Sequence, residues 1–217
     1  MSVVKQFANK LAAILVFGGT LALAAPSVQA DSVVVAGGCF WCVEADFEKL
    51  NGVTGAVSGY TGGSVKNPTY KQVTRGGTGH YEAVKIDFDP AKISLDEILH
   101  KFLRSVDVTD AGGQFCDRGD SYRTAIFATS DQIGSAKRAI SKAQADLGQA
   151  VVTPVLELDV FYKAEDYHQN YYKGTGFVLT RFGPKRQNEA YQLYRDACKR
   201  DDRVMQLWGN AAAFVKK

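Results

Sequence analysis

The sequence predicts an α+β fold in which helices pack on a mixed sheet, and three observations carry that prediction. Short β-branched or alternating runs recur between amphipathic segments. The first six of these elements fall in the order β-α-β-β-α-β. Turn-forming Gly, Pro and Asp residues separate them.

Each element has its own reason. Ser32 to Ala36 is β-branched and apolar, as a buried strand would be. Phe40, Val43, Phe47 and Leu50 recur at helical spacing, and Gly52 stands where that helix would stop. Val53 to Tyr60 reads as a second strand broken by Gly55 and Gly59. A glycine-rich loop, Thr61 to Pro68, and a short segment from Thr69 to Val73 follow. From Tyr81 to Phe88 the chain alternates, with Val84, Ile86 and Phe88 on the face to be buried, and Asp89-Pro90 ends the strand. Ser94 and Glu97 form a capping-box pattern ahead of the stripe Leu95, Ile98, Leu99, Phe102 and Leu103. After a long Gly- and Asp-rich loop, Asp107 to Ser121, Tyr122 to Thr129 reads as a strand. Ser130 is expected to cap a helix reaching about Leu147, and Val155 to Tyr162 to form a further strand. The element order is that of the ferredoxin-like split βαβ arrangement, with extra, largely helical C-terminal segments beyond it. The loop at 107–121 is longer than folding alone requires, which points to function.

Composition narrows the class. The 217 residues are 46% hydrophobic and 23% charged, the balance of a soluble globular chain. The first thirty residues differ from the rest. Lys5 and Lys10 precede an apolar run from Leu11 to Ala25, and Val28-Gln29-Ala30 resembles a signal-peptidase site. That run is shorter than the roughly 20 apolar residues of a membrane-crossing helix. We therefore expect residues 1–30 to be a cleaved leader and residues 31–217 a single domain, exported to a bacterial periplasm or secreted. Cleavage takes the net charge from +3 to +1, too weak to argue for nucleic acid or an anionic membrane surface. All four cysteines, Cys39, Cys42, Cys116 and Cys198, lie after residue 30, and in an oxidising compartment they could pair.

The most informative stretch is GGCFWCVEADF from Gly37. Gly37-Gly38 allows a sharp turn from strand to helix, which would put Cys39 in the first turn of the helix. There the unpaired N–H groups and the helix dipole favour an anion, so the placement is expected to lower the Cys39 pKa and activate the thiolate. Phe40 and Trp41 beside a reactive thiol would make a small apolar pocket suited to a methyl group.

This stretch resembles the signature of the A-type peptide-methionine sulfoxide reductases, which commonly begins Gly-Cys-Phe-Trp. The resemblance continues through SGYTGG (58–63), NPTYKQV (67–73), TGHYEAVKIDFDP (78–90), CDRGDSYRTAIF (116–127) and AEDYHQNYY (164–172). It implies that Cys39 attacks the sulfur of a methionine S-sulfoxide and that Glu82 donates a proton to the oxygen. Tyr70 and Tyr122 would hydrogen-bond that oxygen, Asp117 would help hold substrate and activate water, and Phe40 and Trp41 would hold the methyl group. Cys39 would be left as a sulfenic acid, and a second thiol would condense with it. The resulting disulfide would be reduced by an external, thioredoxin-like dithiol. No bound cofactor or metal is expected, the substrate would be oxidised methionine in proteins or free, and the protein would act as a monomer.

Which thiol resolves the sulfenic acid stays open. Many members of the family have Gly where this chain has Cys42, and they use cysteines in a glycine-rich tail, whereas the tail AFVKK here has none. Cys42 is favoured because it lies one turn from Cys39, with Cys198 and Cys116 as alternatives. Cys116 and Cys198 could otherwise form a structural disulfide. Two other classes compete. One is a thiol–disulfide oxidoreductase built on C-x-x-C, and the other is an exported binding module stapled by two disulfides. His80, His100 and His168 receive no chemical step, and three scattered histidines make a zinc site at Cys39 and Cys42 a poor fit. The alternating charges from Lys199 to Arg203 read as a solvated face.

Overall fold

The computed structural model describes residues 31–216, so the expected leader, residues 1–30, lies outside the described residues. The chain begins with β1 (Asp31–Gly37), α1 (Phe40–Phe47), β2 (Val53–Thr61), α2 (Tyr70–Arg75), β3 (Tyr81–Phe88) and α3 (Leu95–Leu103). Then come β4 (Gly113–Gln114), β5 (Asp117–Arg118), β6 (Thr124–Ala128), α4 (Ile133–Leu147), β7 (Val155–Glu157) and β8 (Tyr162–Lys163). A hairpin of β9 (Phe177–Thr180) and β10 (Gly183–Arg186) precedes α5 (Gln187–Ala197) and α6 (Arg200–Trp208). Six strands form one sheet in the order β7-β6-β1-β3-β2-β8. Only the β6–β7 pair in it is parallel. The fold is thus α+β. Its central strands β6-β1-β3-β2, with α1 joining β1 to β2 across β3, are consistent with the expected split βαβ core.

The sheet is buried on both faces, which explains why β1 is a continuous apolar run. Val33 and Val35 face Phe40, Val43 and Phe47 of α1 and the buried stripe of α3. Val34 and Ala36 face the other way, onto Tyr81, Ala83, Ala125 and Phe127, under Leu156, Leu158 and Phe161. The α3 stripe is buried as its periodicity predicts, apart from half-buried Leu95, and the Ser94 hydroxyl accepts from the Glu97 N–H at 3.2 Å.

Several boundaries differ from expectation. The α1 helix ends at Phe47, because the Leu50 N–H bonds Phe47 O and the Val53 N–H bonds Leu50 O, tightening the exit turn. The segment at 69–73 opens a helix, α2, with Thr69 as its N-cap and Thr69 and Gln72 capping each other. The loop at 107–121 is pinned by buried Gln114, which accepts from the Asp107 N–H (2.8 Å) and donates to its carbonyl (2.9 Å), and it contains the β4–β5 hairpin. Ser130 does not cap α4. Its hydroxyl turns to Asp131, while the Thr129 carbonyl accepts from Gln132 and Ile133.

The run at 155–162 is not one strand. The chain pairs with β6, leaves at Leu158, crosses the second face of the sheet, and joins β2 at the opposite edge as β8. Gly59 makes the crossing possible, since a Cβ there would lie 2.3 Å from the Phe161 ring and 2.4 Å from Tyr162 O. The hairpin β9–β10 was also not expected, because Gly183-Pro184-Lys185-Arg186 has no apolar alternation to mark it as a strand.

Candidate active site

The turn between β1 and α1 is built around Gly38. Its φ is +80°, and a Cβ would sit 2.6 Å from the Cβ of Gln114. Only glycine avoids both problems, and the turn leaves Cys39 as the residue just before α1, with the Cys42 N–H donating to its carbonyl at 3.1 Å. Gly38→Ala is expected to destabilise the fold by about 2–4 kcal/mol, from the backbone conformation and the clash together. Urea unfolding checks it, and an unchanged midpoint would show that the turn is not under this constraint.

Cys39 opens onto a cavity of about 580 Å³. Every residue singled out from the sequence lines it: Phe40, Trp41, Cys42, Tyr70, Glu82, Asp117 and Tyr122, as well as Cys116 and Cys198. Glu82 is 2% exposed on β3, and its Oε2 accepts from the Phe40 N–H at 3.1 Å. Its other oxygen, Oε1, is buried without a partner. Burial pushes the carboxyl up to about 8, only partly offset by the Phe40 N–H, so Glu82 is largely protonated at neutral pH. The free oxygen can then carry a donatable proton. Burial is also the main cause that raises Tyr70 and Tyr122, which stay phenols, and half-buried Asp117.

The apolar wall rests on His168. Its Nδ1 accepts from Trp41 Nε1–H at 3.1 Å, and its ring lies 5.0 Å from Phe40 and 4.3 Å from Tyr70, centroid to centroid. Burial lowers its pKa to about 4, so it is neutral, and the bond to Trp41 puts its proton on Nε2. The other side of Trp41 stacks on Tyr171 at 3.7 Å with an interplanar angle of 4°. The indole is therefore held along its edge and across its face. Glu165 fixes the start of α2 by accepting from the Tyr70 N–H (2.9 Å) and the Tyr60 hydroxyl (2.8 Å). His80 is committed to the backbone, accepting from the Gly63 N–H and donating to Val65 O.

The sulfurs correct one expectation. The helix-end position alone predicts a lowered Cys39 thiol, but its surroundings reverse the direction. The hydrogen bond to Cys42, then burial, then the charges of Cys42, Glu82 and Asp117 push it well above its ordinary value. Cys42 is lowered, first by that bond and then, against burial, by the charges of Arg200 and Arg195. The two thiols titrate as a pair, and Cys42 is the one that gives up its proton more readily. Cys116 and Cys198 form a disulfide, with Cα atoms 5.0 Å apart, while Cys39 and Cys42 are free thiols.

The charged segment at 199–203 is a solvated face only in part, since Lys199 and Asp202 are exposed while the arginines turn inward. Arg200 is 2% exposed, donates to Gly37 O (3.2 Å) and Ser105 O (3.0 Å), and lies 4.7 Å from the centre of the Phe115 ring. Arg203 donates to Asp107 at 2.6 Å. Arg195, also buried, donates to Asp46 of α1 at 3.0 and 3.1 Å and to the Tyr191 hydroxyl. These side chains tie α5 and α6 to the α1 turn and bring two cations to Cys42.

The family model for peptide methionine sulfoxide reductase matches residues 31–206. The chain belongs to that family. It is 45% identical over 200 residues to peptide methionine sulfoxide reductase MsrA 2 of Caulobacter vibrioides, covering 91% of this chain and 95% of that one. It is 44% identical to the protein of the same name from Rhizobium meliloti, covering 88% and 90%. Among solved structures it resembles methionine sulfoxide reductase A of Corynebacterium diphtheriae, with a TM-score of 0.63 and 29% identity over 69% of this chain and 77% of that one. The sequence resemblance and the fold therefore lead to the same family.

For this member, sequence reasoning missed three groups. His168 lies within a matching block, yet only the fold brings it to Trp41 and Tyr70. Glu165 stands beside it in sequence and had no feature marking it as the anchor of Tyr70. Arg195 and Arg200 sit in a charge pattern that usually means exposure, and nothing local separates a buried arginine from a solvated one.

Proposed function

We propose that the protein reduces the S-sulfoxide of methionine through Cys39, with Cys42 resolving the product and an external thioredoxin-like dithiol restoring both thiols. The observation that carries this reading is Glu82, a buried acid with one unpartnered oxygen, hydrogen-bonded to the amide next to Cys39. A sulfoxide oxygen in the cavity would take the Glu82 proton, with Tyr70 and Tyr122 donating to the same oxygen and Asp117 beside them. The methyl group would rest on Phe40 and Trp41. Protonation makes the sulfur electrophilic, and the positive charge gathering there offsets the surroundings that hold the Cys39 thiol up. Cys39 then attacks sulfur and gives its thiol proton back to Glu82. The S–O bond breaks as the hydroxyl passes to the Cys39 sulfur, and the new S–S bond breaks in turn, so methionine leaves with the electron pair and Cys39 is left as a sulfenic acid. The Cys42 sulfur, whose ionisation Arg195 and Arg200 favour, attacks that sulfur. The S–O bond breaks and the hydroxyl takes the Cys42 proton to leave as water, giving a Cys39–Cys42 disulfide for the dithiol to reduce.

Cys42→Ser separates this cycle from thiol–disulfide exchange. The variant is expected to release about one equivalent of methionine in a single turnover and to leave a trappable sulfenic acid on Cys39. Its multiple turnover with a dithiol should be impaired. An unimpaired steady state would remove Cys42 from the resolving role, and loss of the single turnover would favour an exchange enzyme.

We further propose that the protein acts on oxidised exported proteins in the periplasm. The leader-like residues 1–30 and the Cys116–Cys198 disulfide support this, since disulfides persist in oxidising compartments. A mature N-terminus at Asp31 in the periplasmic fraction is the expected result, and a cytoplasmic full-length chain would contradict it.

A further inference from the structure

Among the described residues, the three most exposed large apolar side chains are Leu179 (86%), Phe177 (73%) and Tyr167 (58%). They are not scattered. Leu179 and Tyr167 stand on the rim of the active-site cavity, and Phe177 is next to it on β9. In the hairpin register Leu179 pairs with Pro184 and Phe177 with Arg186, so these four side chains share its outward face. The other face is occupied, with Val178 packed against the cluster that contains Cys39, Trp41 and Tyr171. The guanidinium of Arg186 lies 4.7 Å from the centre of the Phe177 ring, and residues 174–188 include Arg181, Lys185 and Arg186 but no acid.

We propose that the outward face of β9–β10 is a subsite for the residues flanking methionine sulfoxide in an extended protein segment, with a preference for apolar neighbours. This rests on the reductase reading above and deepens it. A sulfoxide side chain seated in the cavity brings its own backbone and its neighbours over the rim, and on this side the rim is Leu179 and its strand. Methionine sits mainly among apolar residues, and its oxidation loosens such packing, so damaged segments present apolar neighbours to whatever binds them. An apolar strip at the mouth gives those neighbours a place to be buried. The cationic side chains around it would add an attraction for acidic segments.

The experiment compares three substrates carrying methionine S-sulfoxide: the blocked single amino acid, a peptide with leucine on both sides, and a matched peptide with glycine and serine. For the wild type, KM is expected to be about tenfold lower for the leucine-flanked peptide than for the glycine-flanked one, with similar kcat, from partial burial of one or two apolar side chains. Phe177→Ser/Leu179→Ser, at exposed positions, should bring the two peptide KM values together, and an unchanged thermal melt reports that the variant is intact. No preference in the wild type, or a preference that survives in the variant, overturns the proposal. So does a variant that keeps the preference but loses affinity for a protein dithiol reductant, or one that keeps it while abolishing a dimer seen by sedimentation. Those results would assign the face to the reductant or to a second copy. Absence of methionine release from all three substrates would instead defeat the reductase reading itself.

Discussion

Cys39→Ser is expected to abolish methionine formation, a loss on the order of 10⁴- to 10⁶-fold when a covalent nucleophile is removed. The size follows from what the residue does. The sulfoxide oxygen must move to an acceptor while sulfur gains two electrons, and in the proposed cycle the acceptor is the Cys39 sulfur. A hydroxyl at the same place is a far weaker nucleophile and cannot form a sulfenic acid. The cavity would still hold substrate, because Glu82, Trp41 and Tyr70 are held by bonds independent of the thiol. The variant should therefore bind sulfoxide with nearly unchanged affinity and release no methionine, which single-turnover assay and calorimetry check together. Residual turnover within tenfold of the wild type would mean that another sulfur performs the attack.

Glu82→Gln should lower the rate of the chemical step by about 10²- to 10⁴-fold, the range for loss of a positioned general acid. Glutamine keeps the shape and can still bond the Phe40 amide, but it has no proton to give. The pH profile distinguishes lost acid from lost structure. With the carboxyl raised to about 8, the wild-type step needs the protonated form and should decline as pH rises through that value, whereas the variant should lack this limb. Stability changes with the opposite consequence for the variant. The folded protein holds this proton between the unfolded value near 4.5 and about 8, so stability falls as pH rises through that window. The cost at high pH is at most about 5 kcal/mol, and Glu82→Gln removes it. Thermal melts at pH 5 and pH 9 should show the variant gaining on the wild type at the higher pH. Parallel pH dependence in both proteins would show that Glu82 ionises as an ordinary carboxyl.

The parts of this fold that were legible share one property, a local pattern that matches a period. The Val33–Ala36 run, the Tyr81–Phe88 alternation and the α3 stripe each contain enough apolar residues to identify their element. The crossing at 158–161 was not legible, because its residues read as strand continuation and the deciding contact is Phe161 over Gly59, about a hundred residues earlier. The β9–β10 hairpin was missed for the opposite reason, since its largest apolar residues are the exposed ones and Gly183-Pro184-Lys185-Arg186 carries no alternation. At the site, sequence spacing placed the thiol on a helix end but mistook the direction of its shift. The dipole is local and readable, whereas Cys42, Glu82 and Asp117 act through the folded surroundings. Arg200 makes the same point, since its neighbours in sequence are charged and its neighbours in space are Gly37, Ser105 and Phe115.

In the proposed cycle Cys39 takes the oxygen and Cys42 takes the resulting bond, with the S-sulfoxide as substrate. Protein with both thiols reduced, incubated separately with the S- and R-sulfoxides of one methionine peptide and then mapped by mass spectrometry, tests it most directly. The expected result is about one equivalent of methionine from the S-sulfoxide, none from the R-sulfoxide, and a Cys39–Cys42 crosslink with two thiols lost. Methionine from the R-sulfoxide, or a crosslink from Cys39 to Cys116 or Cys198 with Cys42 left free, would contradict it.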